Sequence, residues 1–466
     1  MSECTHKHIH VTSSSHVFEA GIKRPNFDER VAAATRNVLP GDDLALDPEY
    51  DPQSLQCWIE LDARNSVTHQ KKSVYVVSSP QISDEAAIMR QWTVPSDRKV
   101  RGSSNRNALK SPMVDDVREY LEAFHHGLPV KTFTKPFKFT TWDTTLVRNA
   151  SRYIGLALGD RCTRIRTRAC ADGTFARQLC LLDILDALIE NLPRDAYAVV
   201  LLIDHDLYEE EDDDGFCCGR AFGGSRVAVV SSARYHPGLD DDAEIEREHM
   251  WPASHCADYL EREAGLHRSM NAPKGGIAGQ GSHSSQPSVE VSPFGPFANF
   301  YRLRHELPHL TPIGKAVKKA HKVATSGVQG PADSYGLWLS RVARTASHEL
   351  GHCFGLGHCA YYACVMQGSA SVVEDVRQPP YLCHICLKKV TIAVLEVKAH
   401  LEEAEYVSER DRVLSEFCKK WEHVPMFAGY QVWLDEMTKW RRKVIKAQAS
   451  DSRVYESYPA PVYGTI

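Results

Sequence analysis

The sequence predicts a layered protein of the α/β or α+β class, and three features carry this prediction. Helical periodicity runs from Met113 to Phe124, with apolar residues at i, i+3 and i+4. A second helix is predicted from about Thr174 to Leu192, ahead of a proline that would stop it. Two apolar runs of strand length follow, Tyr197–Ile203 and Arg226–Ser231. Helices followed by apolar strands are typical of sheet and helix layers that share one core.

Along the chain, five segments differ in composition. Residues 1–105 are turn-rich with short apolar runs and predict an N-terminal extension of limited order. Residues 106–237 hold the predicted helices and strands, together with an extended stretch near Pro136 that suits an edge strand or an irregular strand. Residues 238–330 contain a Gly- and Ser-rich stretch and predict an insertion with a low-complexity loop. Residues 331–446 return to a regular pattern that ends in helices, and 447–466 predict a tail.

Composition narrows the class of protein. The 466 residues include 55 Lys and Arg against 60 Asp and Glu, a net charge of −5, which predicts no nucleic-acid partner. No apolar run approaches the roughly 18 residues of a membrane helix, and the first residues lack the profile of a signal peptide. We therefore expect no membrane partner and an intracellular location, in the cytoplasm or the nucleus. In that reducing environment the 14 cysteines are candidates for metal ligands rather than disulfides.

The most informative block is residues 348–358, which read His-Glu-Leu-Gly-His-Cys-Phe-Gly-Leu-Gly-His. His348 and His352 are four residues apart, so on a helix both imidazoles share one face and can reach one zinc ion. Glu349 is rotated about 100° from the first ligand and can reach a water at the metal without displacing it. Gly355 and Gly357 can adopt positive φ and end the helix, and the turn would bring His358 round as a third ligand. Three protein ligands leave an open position, as catalytic zinc requires.

The length of this motif gives it specificity. A bare His-Glu-x-x-His is weak in a chain with 22 histidines, but a glycine and a third histidine at fixed offsets make chance agreement rare. The alternative is a buried helix with incidental histidines. A second match, His305–His309, is rejected because Pro308 inside it breaks the helix on which both histidines would need to lie.

A second candidate metal site follows at once. Cys359 and Cys364 form one close pair, and Cys383 and Cys386 form another after a moderate loop. Two such pairs suit a tetrahedral Cys4 zinc site, which is closed and therefore structural. The alternatives are four unrelated reduced cysteines or a redox pair in Cys-x-x-Cys. The adjacent Cys217 and Cys218 are interpreted as ordinary reduced residues, and Cys353 as a core residue.

Two further groups of residues carry weaker signals. Met366 follows the histidine motif closely, in Cys-Val-Met-Gln-Gly, and is either ordinary core packing or the turn beneath a metal. The His6, His8 and His10 cluster could bind metal adventitiously, but it lies in the predicted extension.

These blocks together resemble the archaemetzincin family, a branch of the metzincin-type zinc metallopeptidases. The resemblance rests on Ala346–Cys359, on Ala363–Ser369 and on Cys383–Lys389, and it extends weakly to Val227–Tyr235. It implies that the three histidines bind catalytic zinc, that Glu349 is the general base, that Met366 is the Met-turn residue and that the four cysteines hold a second, structural zinc.

The resemblance also implies a fold. We expect an α+β fold, metzincin-like, with an upper mixed β-sheet subdomain, a long active-site helix and a lower, mainly helical subdomain. The function expected is hydrolysis of peptide bonds in peptide or protein substrates, with aminopeptidase-like action on short peptides. Candidates for stabilising the transition state are Tyr361, Tyr362 and Tyr381, on their chemistry alone. The alternative is a non-enzymatic module in which two structural zinc ions support protein contacts. The oligomeric state is left open.

Overall fold

The structure is a computed structural model with side chains, and it describes most of the chain. The residues described are 6, 9, 15–22, 36–42, 51–96, 99, 109–142, 152–222, 225–271, 311–326 and 331–450.

Eleven strands and ten α-helices alternate irregularly along these residues. The strands are β1 (Ser73–Val77), β2 (Gln81–Ile82), β3 (Val130–Thr132), β4 (Lys138–Thr141), β5 (Tyr153–Leu158), β6 (Arg161–Ala169), β7 (Arg177–Cys180), β8 (Ala196–Ile203), β9 (Asp206–Tyr208), β10 (Gly219–Ala221) and β11 (Val227–Ser231). The helices are α1 (Leu55–Ile59), α2 (Val114–Phe124), α3 (Leu181–Ile189), α4 (Ala257–Asn271), α5 (Pro312–Ala324), α6 (Pro331–Cys353), α7 (Val372–Val376), α8 (His384–Leu395), α9 (Glu403–Lys420) and α10 (Pro425–Ser450).

A five-stranded sheet forms the centre of the molecule, in the order β10-β11-β8-β1-β3. Strands β11, β8, β1 and β3 are parallel, with Val229 opposite Leu201 and Tyr75 opposite Val199. The edge strand β10 is antiparallel to β11, with Arg220 opposite Val229. The sheet is therefore mixed, and the edge strand carries Arg220.

Strand β8 is buried along its whole length, which explains its continuous apolar sequence. Val200 and Leu202 face the core that contains α2 and α6, whereas Leu201 and Ile203 face the core that contains α3. Successive side chains of a strand point to opposite faces, so a strand covered on both sides needs apolar residues at every position. The two faces of the sheet therefore belong to two separate hydrophobic clusters.

A second, six-stranded sheet has the order β2-β4-β5-β6-β7-β9. Strands β4 to β7 are antiparallel, and the short β2 and β9 join the edges in parallel. Phe139, Ile154 and Ile165 from this sheet pack into the same cluster as α3. The cluster thus lies between the second sheet and one face of the first.

The long helix α6 packs against β11, β10 and β8 on the other face of the first sheet. Helices α9 and α10 pack against each other, and α10 packs against α5. No helix in the part of the chain described here is long and apolar enough to cross a membrane.

Several predictions from the sequence are confirmed, and one helix is corrected. The helix at Val114–Phe124 and the strands at Ala196–Ile203 and Val227–Ser231 form as expected. The helix expected from Thr174 begins only at Leu181, because Arg177–Cys180 form a strand between β6 and β9. Pairing with two neighbours outweighs the helical periodicity of those four residues.

The expectation of limited order for residues 1–105 is wrong for the part around β1. This strand lies between β3 and β8, and Val74 and Val76 are fully buried. Because β1 is short, its position in the middle of the sheet could not be predicted from its sequence. The low-complexity stretch 275–285 lies outside the described residues. Of the predicted tail at 447–466, residues 447–450 belong to α10 and the rest lie outside the described residues.

Candidate metal centre

Helix α6 carries two of the three predicted histidine ligands on one face. His348 and His352 lie one turn apart, and their Nε2 atoms are 3.0 Å from each other. His358 follows the end of the helix, with its ring centroid 5.3 Å from that of His348 and 5.0 Å from that of His352. Nitrogen atoms of all three histidines lie within 4.8 Å of one another. The structure therefore brings together the three residues that the motif singled out.

The hydrogen bonds of two histidines leave the correct nitrogens for a metal. His348 Nδ1 lies 2.6 Å from the carbonyl oxygen of Val365, and His352 Nδ1 lies 2.7 Å from that of Leu356. A carbonyl oxygen only accepts, so both Nδ1 atoms carry the proton and both Nε2 atoms present lone pairs. Two lone pairs at 3.0 Å repel each other unless a cation lies between them. Tetrahedral zinc at about 2.05 Å from each nitrogen would separate them by about 3.3 Å.

The turn that returns His358 to the cluster is a Schellman motif at the end of α6. Gly355 has φ of +77°, its N–H donates to His352, and the N–H of Leu356 donates to Gly351. Only glycine adopts this conformation without strain. The prediction of positive φ at the end of the helix is confirmed for Gly355 and is wrong for Gly357, because one left-handed residue already completes the turn.

Glu349 lies in the same cleft and is 5% exposed. Its side chain reaches strand β10, since a Cβ on Gly219 would stand 2.9 Å from Glu349 Oε1. Burial raises the pKa of this carboxyl to about 8, and the nearby Arg220 opposes the rise. Burial disfavours the ionised form of a carboxyl, which makes Glu349 a stronger base than an exposed glutamate.

Burial also keeps the three histidines neutral. It lowers the pKa of His348, His352 and His358 to about 3, and a neighbouring imidazole adds to the effect in each case. Neutral imidazole is the form that binds a metal.

The cleft around these residues has a volume of about 490 Å³ and is lined by several groups that the sequence did not single out. Arg220 and Glu209 form an ion pair at 3.0 Å, and Tyr235 and Asp375 also line the cleft. Arg220 and Asp375 belong to no motif, and their positions follow from the sheet edge and from α7. Glu209 directly follows β9, and Tyr235 ends the segment Val227–Tyr235 that weakly extends the family resemblance. Among the described residues that line the cleft, none is Tyr361, Tyr362 or Tyr381.

Met366 lies directly beneath α6. It is fully buried, and a Cβ on Gly351 would stand 2.3 Å from Met366 Sδ. The carbonyl of Met366 accepts a hydrogen bond of 2.7 Å from the N–H of Cys359, next to His358. The turn containing Met366 thus supports both the helix and the third histidine from below.

The four predicted cysteines form a second cluster. Their sulfur atoms lie within 4.8 Å of one another, and Cys359 Sγ is 3.7 Å from Cys383 Sγ. Tetrahedral zinc with Zn–S of about 2.3 Å would separate its sulfurs by about 3.8 Å. A disulfide would need about 2.05 Å, so this spacing suits a shared metal ion and not a cross-link.

The surroundings of the cysteine cluster favour thiolate at Cys359, whereas burial and the neighbouring thiols raise the pKa of Cys364 and Cys386 well above the usual value. Cys364 Sγ accepts hydrogen bonds from the N–H groups of Cys383, at 3.2 Å, and Met366, at 3.5 Å. Hydrogen bonds from the other three thiols hold the pKa of Cys359 well below its usual value. Thiolate is the form that ligates zinc.

The other histidines and cysteines considered from the sequence belong to neither cluster. Cys353 is fully buried in the core, as expected. Cys217 and Cys218 line the cleft, and burial raises the pKa of both thiols, so neither is activated. His6 contacts the rings of His249 and His321. His8, His10 and the rejected pair at 305 and 309 lie outside the described residues.

Comparison with known proteins points to one family. Residues 328–392 match the model of peptidase family M54. Over 102 residues the chain is 40% identical to Archaemetzincin-2 of Macaca fascicularis, covering 21% of this chain and 26% of that protein. Over 290 residues it is 26% identical to Archaemetzincin-2 of Rattus norvegicus, covering 62% and 56%.

The solved structures with a similar chain include the crystal structure of archaemetzincin from Methanopyrus kandleri, with 16% sequence identity and a TM-score of 0.30. The alignment covers 70% of this chain and 98% of that one. The chain spans from 26% to 56% of the length of the two curated relatives named above. The matched segment 328–392 contains both the histidine and the cysteine clusters. The family model and the curated relatives confirm the resemblance to the archaemetzincins, peptidase family M54.

Proposed function

We propose that this protein is a zinc-dependent metallopeptidase that hydrolyses peptide bonds. The observation that carries the proposal is the Glu349 carboxyl, held in a cleft beside three histidines whose nitrogens converge. A purely structural site with three histidines has no need of a carboxyl at that place. The remaining open position of such a site is where a substrate or a water can enter.

His348, His352 and His358 would hold the zinc ion through their unprotonated nitrogens. When bound, the ion supplies an electrophile for the scissile carbonyl and lowers the pKa of bound water to about 7. Positive charge held by the histidine cluster also favours the ionised form of Glu349.

Glu349 acts as the general base in this proposal. Its carboxylate takes a proton from the attacking water and passes it to the leaving amine, and β10 fixes its position. Val365 and Leu356 keep the imidazoles oriented through their carbonyl groups. Arg220, on the edge strand of the sheet, places positive charge beside the site.

We infer a second, structural zinc at Cys359, Cys364, Cys383 and Cys386, so that each chain binds two zinc ions. Four thiolates complete a tetrahedral shell and leave no open position, so this ion would stabilise the fold without taking part in catalysis. The first sheet and helices α8–α10 would then correspond to the upper and lower subdomains of a metzincin-like fold.

Short peptides with a free N-terminus are the substrates that we propose. Glu209 lines the cleft and is paired with Arg220, and a peptide ammonium group could compete for its carboxylate. Aminopeptidase-like action predicts that N-acetylation of a short peptide abolishes cleavage. Equal cleavage of free and acetylated peptides would indicate an endopeptidase instead.

The test of the mechanism is Glu349→Gln, with Glu405→Gln on the exposed side of α9 as the matched control. We expect Glu349→Gln to keep its zinc and to cleave a peptide library about 10²- to 10⁴-fold more slowly, the usual contribution of a general base. Unchanged cleavage by a zinc-loaded Glu349→Gln protein would refute the mechanism. Two bound zinc ions without any cleavage by the wild-type chain would favour the non-enzymatic module.

Cell location and domain boundaries are proposals that rest on the sequence. We propose a location in the cytoplasm or nucleus, which subcellular fractionation can test. For the insertion at 238–330, the described residues include Trp251 and Ile313, which are buried in the main core. Limited proteolysis would show whether cleavage is confined to the stretch between α4 and α5.

A further inference from the structure

A short segment near the N-terminus, Gln53–Arg64, lies against the turn that connects the second and third histidines. It is far outside the segment that matches peptidase family M54. Trp58, which is fully buried, donates from Nε1 to the carbonyl of Phe354 at 2.9 Å. The aliphatic part of Arg64 also packs there, since a Cβ on Gly355 would stand 3.1 Å from its Cγ. The end of α6 is thus covered by residues about 300 positions earlier in the chain.

Gln53 makes the most direct contacts with this turn. Its Nε2 donates to the carbonyl of Gly355 at 2.9 Å, and its Oε1 accepts from the N–H of Gly357 at 3.1 Å. The two bonds span Leu356, whose own carbonyl lies 2.7 Å from His352 Nδ1. Gly357 directly precedes His358. The side-chain amide of Gln53 therefore holds the backbone on both sides of Leu356. Leu356 orients His352 through its carbonyl group, and the same turn places His358.

Gln53 also connects this turn to the helix that carries the cysteines. Lys389 on α8 donates from Nζ to Gln53 Oε1 at 2.9 Å and to the main-chain carbonyl of Gln53 at 2.6 Å. Lys389 is only 2% exposed and lies one helical turn after Cys386. A buried ammonium group needs such acceptors, so Gln53 cannot move away without leaving that charge poorly solvated.

We propose that Gln53 is a positioning residue for the histidine metal site: it holds the Gly355–Gly357 turn, and hence His358, through its contacts with that turn and Lys389. The inference rests on the proposed function only in taking the three histidines as a zinc site. Groups that orient metal ligands through hydrogen bonds typically change metal affinity about 10- to 100-fold when they are removed.

The test is Gln53→Met, which keeps the length of the side chain and removes its amide. The matched control is Gln56→Met in the same segment, because Gln56 is exposed and its amide bonds Glu60 alone among the residues that the structure describes. Zinc affinity of the more readily chelated site is measured by chelator competition. The absorption spectrum of a cobalt-substituted protein reports the geometry of the ligands. Melting of the chelated protein reports general stability.

We expect Gln53→Met to weaken zinc binding about 10- to 100-fold at the readily chelated site and to alter the cobalt spectrum, with Gln56→Met like wild type. A drop in melting temperature with unchanged zinc affinity and spectrum would mean a merely structural role and would overturn the proposal. Gln53→Glu retains the acceptor for Gly357 and Lys389 but faces Gly355 with a carboxylate oxygen. We expect it to fall between wild type and Gln53→Met, and it provides the test if Gln53→Met does not fold.

The outcomes separate this inference from the proposed function. If the wild-type chain binds zinc and cleaves peptides but Gln53→Met binds zinc as tightly, only the positioning role is wrong. If the wild-type chain binds no readily chelated zinc, both proposals are wrong.

Discussion

A buried ion pair between α6 and residue 240 should be a strong determinant of stability. Arg341 is 1% exposed and donates to both carboxylate oxygens of Asp240, at 2.7 and 2.9 Å. Arg247 also donates to this carboxylate, at 2.6 Å. The buried carboxylate therefore balances the charge of the buried Arg341 and also pairs with the more exposed Arg247. We predict that Asp240→Asn, which keeps the shape and removes the charge, strongly destabilises the protein.

The magnitude follows from what the substitution leaves behind. Arg341 remains charged because a guanidinium group cannot be deprotonated in a protein, and its depth excludes water. Removing one partner of a buried pair costs about 3–5 kcal/mol, against a total stability of about 5–15 kcal/mol. The equilibrium constant for unfolding should rise about 10²- to 10⁴-fold.

Urea denaturation followed by circular dichroism, with zinc held constant, measures this effect. The control is Asp241→Asn, because Asp241 is an exposed neighbour. We expect a much lower urea midpoint for Asp240→Asn and a change within about 0.5 kcal/mol for Asp241→Asn. Equal midpoints for the two variants would refute the reasoning. They would also favour an insertion at 238–330 that is attached only loosely to α6.

Three further predictions follow from the core and the metal clusters. Gly351→Ala should lower stability by about 1–3 kcal/mol, because the added Cβ would stand 2.3 Å from Met366 Sδ. Thermal melting measures this effect, and an unchanged melting temperature would show that Met366 moves freely. Burial lowers the pKa of His125 from 6.5 to about 3. As the pH falls, His125 is therefore protonated in the unfolded state before it is protonated in the folded state, and the stability of the protein falls between pH 6.5 and 3. His125→Phe should reduce that loss by about 5 kcal/mol in acid denaturation, and an identical pH profile would contradict the burial argument. Cys386→Ser should reduce zinc content in elemental analysis at both clusters, whereas two retained zinc ions would exclude a role for Cys386 as ligand.

Local sequence predicted the histidine cluster well because its geometry is largely local. Two histidines four apart on a helix must share a face, and Gly355 at the end of that helix forms the turn that the motif required. The cysteine cluster was equally accessible, since close pairs of cysteines need only one loop between them. In both cases the ligands lie within 40 residues of one another in the sequence.

Parts of the fold that depend on pairing between strands far apart in the sequence could not be predicted from local sequence. The run at Ser73–Val77 was visible as a short apolar segment, but its partners begin at Val130 and Ala196. Nothing within the segment distinguishes a central strand from an isolated apolar stretch. The same limit applies to Arg177–Cys180, whose two neighbouring strands outweigh a helical pattern.

The cleft residues show a related limit. Arg220 belongs to a three-residue strand whose sequence carries no motif, and it reaches the site because that strand is the edge of the sheet. Gln53 lies in the segment where limited order was expected. Both are polar residues whose contacts depend on packing between distant parts of the chain, and periodicity in the sequence reports only on local structure.

The two candidate metal clusters form separate motifs in the sequence, but in the fold they are connected by the backbone and by hydrogen bonds. His358 and Cys359 are consecutive, and the N–H of Cys359 is bonded to the carbonyl of Met366, beneath α6. On the far side, Lys389 connects the helix of Cys386 to Gln53 and so to Gly357. His358 is therefore held between a backbone anchored by the cysteine cluster and a turn anchored by Gln53. If the four cysteines hold a structural zinc as proposed, its loss should also displace His358, because the backbone on both sides of His358 is supported by residues next to that cluster.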